Sequence, residues 1–319
     1  MNYFRPFVEC SFRLLFKIYN EKYTSVVKKW FLSLHQHPLF MNAINAGSSK
    51  KWLAFVHILG FLLVVTLNSL AVFLPLNDKT TGQLSDLYPN LFTPAGLTFS
   101  IWSLIYVLLL GFVIYQAIVL FRDSHPSRVK ILRISWPFII SCLANAGWIV
   151  AWHYEQVFLS VGIMILLLVS LITIHNRLRL ALPAKPAAEK WWLDVTFSVY
   201  LGWITIAAIA NITALLVHLH WNGAGISPYT WTVIMISVGT LLNLYMIFFK
   251  NNLAFGMVGI WAFYGIILKR QAAIDHNMNQ IIFCAEICIA MLSFSIILQL
   301  FNFWKKSARM DNHDKVVEA

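Results

Sequence analysis

The chain has 319 residues, of which 59% are hydrophobic and 12% are charged, and its mean hydropathy is +0.70. A soluble domain carries roughly 25% charged residues, so this composition excludes a soluble globular protein. The net charge of +11 does not indicate a nucleic-acid partner, because the basic residues are distributed as in a membrane protein.

The first 51 residues precede the apolar part of the chain and carry eight Lys and Arg residues. Aromatic and aliphatic residues recur in them at helical spacing, at Phe12, Leu15, Phe16, Tyr19 and Tyr23. This pattern favours a cytoplasmic basic amphipathic arm, residues 1–51, lying on the lipids of an anionic membrane surface. A partly disordered arm is the alternative.

Eight apolar runs follow the arm. Runs of about 17 to 25 apolar residues predict spanning helices, because about 20 residues cross the hydrocarbon core. Their approximate ranges are 52–75, 96–121, 134–152, 156–174, 191–217, 229–249, 253–268 and 281–304. The seventh run is short, so seven spans is the alternative. We predict an all-α polytopic membrane protein.

The distribution of basic residues predicts the orientation of these spans. With a cytoplasmic N-terminus, 21 of the 24 Lys and Arg residues fall on the cytoplasmic side, and only Lys79, Lys269 and Arg270 fall outside. This asymmetry follows the positive-inside rule. We therefore expect a multi-pass protein of a bacterial inner membrane with both termini in the cytoplasm.

Three of the spans carry tryptophan together with polar or aromatic residues at helical spacing. An amide within hydrocarbon must find a hydrogen-bond partner, so asparagines on successive spans predict a shared polar and aromatic interior. We expect this interior to be a ligand pocket, and simple aromatic packing is the alternative. The residues are Trp102 and Tyr106 in the second span, Asn145, Trp148 and Trp152 in the third, and Tyr200, Trp203 and Asn211 in the fifth.

With these residues the chain resembles the tryptophan-rich sensory protein and translocator protein family (the TspO/MBR group). The family's second helix carries Pro, then Trp eight residues later and Tyr four beyond, and its third helix carries Asn-x-x-Trp. Its fifth helix carries Tyr-Leu-x-Trp and then Asn eight residues on. The matching residues are Pro94, Trp102 and Tyr106, then Asn145 and Trp148, then Tyr200, Leu201, Trp203 and Asn211.

The resemblance covers roughly residues 52–220 and implies a five-helix bundle around a pocket for tetrapyrroles, sterols or similar flat apolar ligands. It also implies a homodimer. Residues 221–304 would add about three transmembrane helices, and residues 305–319 would form a cytoplasmic tail. The family's Trp-x-Pro-Pro loop sequence reads Leu91-Phe92-Thr93-Pro94 here, and further family positions are replaced by Gly96, Ser100 and Val199. The identity of the ligand therefore does not carry over.

Two further residues within spans are candidates for function. His57 in the first span could line the pocket, although a hydrogen-bonded core histidine is the alternative. Glu286 in the eighth span is a candidate for proton coupling, because an intramembrane carboxyl group is costly and is often functional. A neutral glutamate bonded to a neighbouring helix is the alternative.

The leading hypothesis is a membrane receptor or carrier for a small planar hydrophobic ligand, such as a porphyrin or haem. A proton-coupled transporter that uses Glu286 is the first alternative, and a tetrapyrrole-modifying enzyme assisted by tryptophan is the second. We find no nucleophile–base pair, phosphate-binding glycine loop or metal motif. No catalytic residue, metal or required cofactor is therefore predicted.

Overall fold

The computed structural model describes residues 50–74, 76–122, 124–179, 186–272 and 278–317. Within these ranges, eight helices are long and apolar enough to cross a membrane. The prediction of an all-α, multi-pass membrane protein is confirmed, with eight spans rather than seven. The predicted amphipathic arm lies outside the described residues, apart from its last two positions.

Five of the eight helices are longer than the apolar runs that predicted them, and the first, second and fifth are shorter. The third begins six residues before its apolar run and the eighth continues beyond residue 304, because a helix can continue past the hydrocarbon layer with charged side chains. The helices are α1 Trp52–Phe73, α2 Ile101–Phe121, α3 Arg128–His153, α4 Val157–Arg179, α5 Thr196–His218, α6 Pro228–Lys250, α7 Leu253–Gln271 and α8 Asn279–Val317.

Local sequence signals set several helix ends. Ser227 caps α6 by accepting a hydrogen bond from the Thr230 N–H at 3.2 Å, and Pro228 occupies the first helical position. Asn251 takes a left-handed conformation, with φ of 51°, and ends α6. Asn252 then caps α7 through the Phe255 N–H at 3.1 Å. The short α6–α7 connection therefore makes two neighbouring antiparallel helices.

Helices α1 to α5 form a closed ring. Helix α1 contacts α2 and α3, α3 contacts α4, α4 contacts α5, and α5 returns to α2. All five helices contribute buried apolar side chains to one core. The ring places the tryptophan-bearing faces of α2, α3 and α5 around one interior.

Helices α6, α7 and α8 contact one another around a second apolar core. Helix α7 joins this group to the ring through α5. The two helices approach closely at Gly202, where an added Cβ would lie 3.1 Å from the Cβ of Val258. A glycine at this position therefore permits the α5–α7 contact.

The connection between α1 and α2 lies at one end of the ring, which we call the loop end. It contains a short helix, Thr81–Asp86, and a 3₁₀ helix, Gly96–Ser100, that leads directly into α2. Thr80 and Gln83 cap the short helix with a reciprocal pair of side-chain bonds, at 3.3 and 2.8 Å. We call Thr81–Asp86 the loop helix and residues 94–100 the roof segment.

Candidate ligand-binding site

A cavity lies at the loop end of the five-helix ring. About 40 Å³ of it is accessible to the centre of a water molecule. Its wall combines side chains of α2, α3 and α5 with residues of the loop helix and the roof segment. The lining residues are Thr81, Ser85, Pro94, Phe99, Trp102, Trp148, Trp152, Trp203, Ile206, Ala207, Ala210 and Asn211.

Four indole rings on three helices form the aromatic wall of this cavity. Trp102 stacks on Trp148, with ring centroids 6.1 Å apart, and meets Trp203 edge to face at 6.3 Å. Trp148 stacks in turn on Trp152 at 6.2 Å. Tyr106 stacks on Trp102 at 5.7 Å and does not itself line the cavity. These offset arrangements are the geometries that aromatic side chains prefer.

Asn145 connects three helices behind this wall. Its Oδ1 accepts a hydrogen bond from Asn68 Nδ2 on α1 at 2.8 Å, and its Nδ2 donates to the Tyr200 hydroxyl on α5 at 2.8 Å. All three residues are buried. Both ends of the amide are thus bonded within the protein, and Asn145 joins three helices. It is not among the residues that line the cavity.

Asn211 makes a second connection, and this one reaches the cavity. Its Oδ1 accepts a hydrogen bond from the Trp148 Nε1–H at 3.2 Å, and its Nδ2 donates to Ser160 Oγ on α4 at 3.0 Å. The amide thus fixes the orientation of one indole ring in the wall. Helices α3, α4 and α5 are joined at this point.

Two indole N–H groups of the lining have no hydrogen-bond partner in the described protein. They are Nε1 of Trp152 and Nε1 of Trp203, and both atoms are buried. An unsatisfied buried donor costs about 1–3 kcal/mol. Both atoms are closed off from the cavity in this structure, so an acceptor group reaches them only if the wall rearranges.

The structure brings together five of the nine predicted ligand-binding residues in the cavity wall: Trp102, Trp148, Trp152, Trp203 and Asn211. Tyr106 and Tyr200 lie behind the wall, where their rings contact that of Trp102, and Asn145 is bonded to Tyr200. Their arrangement agrees with the expected shared interior, while ligand binding itself remains a prediction.

His57 does not line this cavity, and its part in ligand binding stays a prediction. His57 is fully buried in the second turn of α1, at the opposite end of the ring from the cavity. Its Nδ1 lies 3.1 Å from Gln116 Oε1 on α2, and its ring packs against Phe112 and Phe138. His57 lies on the inner face of α1, where its polar partner is Gln116.

Glu286 lies on the exposed outer face of α8, beside Phe283 and Ile287. It does not line the cavity with the four indole rings, which we call the tryptophan cavity. The structure therefore does not bring Glu286 together with the other predicted site residues, and its role in proton coupling remains a prediction.

Helix α7 anchors the roof segment. The sequence did not predict this contact. The Ala95 N–H donates to the Gly265 carbonyl at 2.9 Å, and the Trp261 Nε1–H donates to the Thr98 carbonyl at 3.0 Å. A Cβ at Gly265 would lie 1.9 Å from Thr98 Oγ1, so only glycine permits this approach. The part of the loop that departs from the family pattern is thus held by a helix outside the five-helix ring.

The other side of the loop is tied to the α3–α4 connection. Asn77 Nδ2 donates to the His153 carbonyl at 3.0 Å, and Lys79 Nζ lies 2.5 Å from Glu155 Oε1. The loop helix between these contacts and the roof segment contributes Thr81 and Ser85 to the cavity. It therefore covers the cavity from the loop end.

The polar connections include two residues that the sequence analysis did not predict, Asn68 and Ser160. Asn68 is an amide within the first span, so the argument that selected Asn145 and Asn211 applies to it equally. Ser160 gives no such signal, because a serine in a spanning helix usually bonds its own backbone.

The family model described as TSPO-like protein matches residues 54–298 of the chain. The match begins within α1 and ends within α8, so it includes α6, α7 and the greater part of the apolar α8. It therefore extends beyond residues 52–220, over which the motifs of the second, third and fifth spans were found. No curated protein and no solved structure matches the chain. Eight apolar helices and a family match over more than half of its length show that this chain is a multi-pass membrane protein that belongs to the TSPO-like protein family.

Proposed function

We propose that the protein is a membrane receptor or carrier that binds a small planar hydrophobic ligand in the tryptophan cavity. Membership of the TSPO-like family supports a role in ligand binding or transport. The observation that carries the proposal is the convergence of four indole rings from three helices on one cavity. A tetrapyrrole is the ligand class that we favour.

The chemistry of the wall supports a flat ligand that also carries acceptors. Indole rings present large apolar faces on which a planar π system can stack. The buried N–H groups of Trp152 and Trp203 add two donors without partners in the described protein. Imine-type ring nitrogens, carbonyl groups or carboxylates of a ligand would satisfy these donors.

The size of the cavity adds a condition to the proposal. A volume of about 40 Å³ on this measure holds only a few water molecules. A macrocycle therefore enters only if the wall opens, and the roof segment and the loop helix are the parts of the wall that lie outside helices α1 to α8. Binding that requires such a rearrangement is slower than a diffusional encounter.

The distribution of charge supports a bacterial inner membrane with cytoplasmic termini as the location. In that orientation the loop end faces outward, and 21 of 24 Lys and Arg residues lie on the cytoplasmic side. A ligand would then reach the cavity from the outer face of the membrane.

Quenching of tryptophan fluorescence by protoporphyrin IX tests the proposal. In the detergent-purified protein, the double variant Trp102→Ala/Trp148→Ala should bind the porphyrin at least about tenfold more weakly, because two stacking faces are lost. The matched control is Trp136→Ala/Trp191→Ala, which removes two indoles that are about 60% exposed and lie outside the cavity.

Two outcomes of this experiment would contradict the proposal. One is unchanged porphyrin affinity in the folded Trp102→Ala/Trp148→Ala variant, and the other is an equal loss in the control variant. Trp102→Phe and Trp148→Phe keep an aromatic ring in the wall, and they serve in the same assay if the alanine variant does not fold. The shift of the porphyrin absorption band gives an independent measure of binding.

A further inference from the structure

A second, larger cavity opens at the loop end beside the tryptophan cavity. About 420 Å³ of it is accessible to the centre of a water molecule, roughly ten times as much as in its neighbour. We call it the outer cavity. Its lining residues are Ser85, Asp86, Tyr88, Pro89, Asn90, Leu91, Pro228, Tyr229, Lys269 and Arg270.

The loop helix borders both cavities. Ser85 contributes to the lining of each, and the next residue, Asp86, lines only the outer cavity. A movement of this six-residue helix would therefore connect the two spaces. The outer cavity is thus adjacent to the cavity that contains the indole rings.

The last turn of α7 gives the outer cavity a cationic wall. Lys269 Nζ lies 2.6 Å from Asp86 Oδ1, in an ion pair whose carboxylate is 64% exposed. Arg270 follows Lys269, is only 7% exposed, and has a buried Nε without a hydrogen-bond partner in the described protein. Among the described residues of the lining, two cations thus face one carboxylate.

A guanidinium group removed from water requires a counter-charge or a full set of acceptors. Its planar donors suit a carboxylate, which they bind through two parallel hydrogen bonds. The remainder of the lining includes Tyr88, Pro89, Leu91 and Pro228, which offer apolar and aromatic surface. This combination suits a ligand with an apolar body and an acidic substituent.

We propose that the outer cavity is a carboxylate-recognition site, with Arg270 as the anchoring residue, and that the ligand class is a planar hydrophobic carboxylic acid. This inference rests on the proposed function and specifies its ligand. A ligand carboxylate at Arg270 lies beside the Lys269–Asp86 pair and competes with Asp86 for Lys269. Binding would thereby weaken the contact that ties the loop helix to α7.

A matched pair of ligands tests the site: protoporphyrin IX, with two carboxylates, and its dimethyl ester, with the same macrocycle and no charge. The wild-type protein should bind the acid about tenfold more tightly than the ester, the effect of one charge-assisted hydrogen-bonding contact. Arg270→Gln should lower the affinity for the acid to that for the ester and leave the affinity for the ester unchanged.

Asp86→Asn and Lys79→Gln complete the experiment. Asp86→Asn removes the competing carboxylate, so it should increase the affinity for the acid alone. Because Asp86 is exposed, this variant also provides the test if Arg270→Gln does not fold. Lys79→Gln removes another loop-end cation, which pairs with Glu155 and lines neither cavity. Because that pair ties the loop beside both cavities, the variant should leave the ratio of the acid and ester affinities unchanged.

The outcomes separate this inference from the proposed function. Equal affinities for acid and ester in the wild-type protein would overturn the carboxylate site and leave the planar-ligand proposal standing. The carboxylate site would also be overturned, and the planar-ligand proposal left standing, by either of two other results. One is an equal loss of affinity for acid and ester in Arg270→Gln, and the other is an unchanged affinity for the acid in Asp86→Asn. Failure of both ligands to bind the wild-type protein would overturn the proposed function, and the inference with it.

Discussion

The Trp148 indole N–H donates a hydrogen bond to Asn211 Oδ1 at 3.2 Å, so one ring of the cavity wall is fixed by an amide on another helix. Asn211 is itself held by Ser160 on α4 at 3.0 Å. The same side chain therefore joins three helices and orients a binding surface. Its loss should affect stability and ligand affinity together.

We expect Asn211→Leu to lower the free energy of unfolding by about 1–3 kcal/mol, because the Trp148 N–H loses its acceptor in a buried position. Porphyrin affinity should fall as well, since the ring loses the bond that orients it. Unfolding in mixed detergent micelles, followed by circular dichroism, measures the first effect. Asn302→Leu, at an exposed amide on α8, is the control and should be nearly neutral. Wild-type stability in Asn211→Leu would show that this hydrogen bond contributes little.

Tyr200→Phe tests the second polar connection. Removal of the hydroxyl leaves Asn145 Nδ2 without its partner, and bonds between membrane helices contribute about 0.6–2 kcal/mol. The loss should shrink when Asn145 is already replaced by Leu, and a double-mutant cycle of unfolding free energies measures that coupling. Tyr154→Phe removes the hydroxyl of an exposed tyrosine and should have little effect. Additive effects in the cycle would contradict a direct interaction.

The inner faces of the spanning helices could be predicted from sequence, because helical spacing determines which residues share a face. Trp148 and Trp152 on α3, and Trp203 and Asn211 on α5, all reach the cavity wall as that spacing indicated. His57 shows the limit of the argument. Helical spacing shows that a residue lies on an inner face. The neighbours of that residue depend on how deep it lies in the assembled ring, and at the depth of His57 the neighbour is Gln116.

The contribution of α7 to the roof could not be predicted from sequence. Gly265 has no local feature that separates it from other glycines in spanning helices, and its importance arises only where Thr98 approaches it. Arg270 was visible as a departure from the positive-inside rule. Its burial beside Asp86, and hence its relation to the outer cavity, required the tertiary structure.

Gly265→Ala should displace the roof segment. The added Cβ would lie 1.9 Å from Thr98 Oγ1 and 2.9 Å from Pro94 Cβ, so the backbone contact between α7 and Ala95 cannot persist unchanged. Overpacking of this kind costs about 1–3 kcal/mol. We expect a lower thermal unfolding midpoint and faster porphyrin association, because the cover of the cavity is loosened; stopped-flow quenching measures the rate.

The control for that variant is Gly162→Ala on α4, where an added Cβ meets no atom within 4 Å. Alanine is the better helix former by up to about 1 kcal/mol, so this variant should be neutral or slightly stabilising. If the two variants behave alike, the roof contact does not depend on the glycine. Slower association in Gly265→Ala would contradict the assignment of the roof segment as the cover.

The end of the ring opposite to the cavity contains a buried ion pair between Lys130 on α3 and Glu189, which precedes α5. The Ser127 hydroxyl donates to the second carboxylate oxygen, Oε2, at 2.8 Å, and the Glu189 side chain is 2% exposed. Glu189→Gln should cost about 3–5 kcal/mol, since it leaves a buried ammonium without its counter-charge, whereas the double variant Lys130→Met/Glu189→Met should recover most of that loss. Lys79→Gln, which breaks an exposed pair at the loop end, should cost less than about 1 kcal/mol in the same unfolding measurement. If the double variant is as unstable as Glu189→Gln, the pair stabilises the fold by more than the neutralisation of each charge by the other.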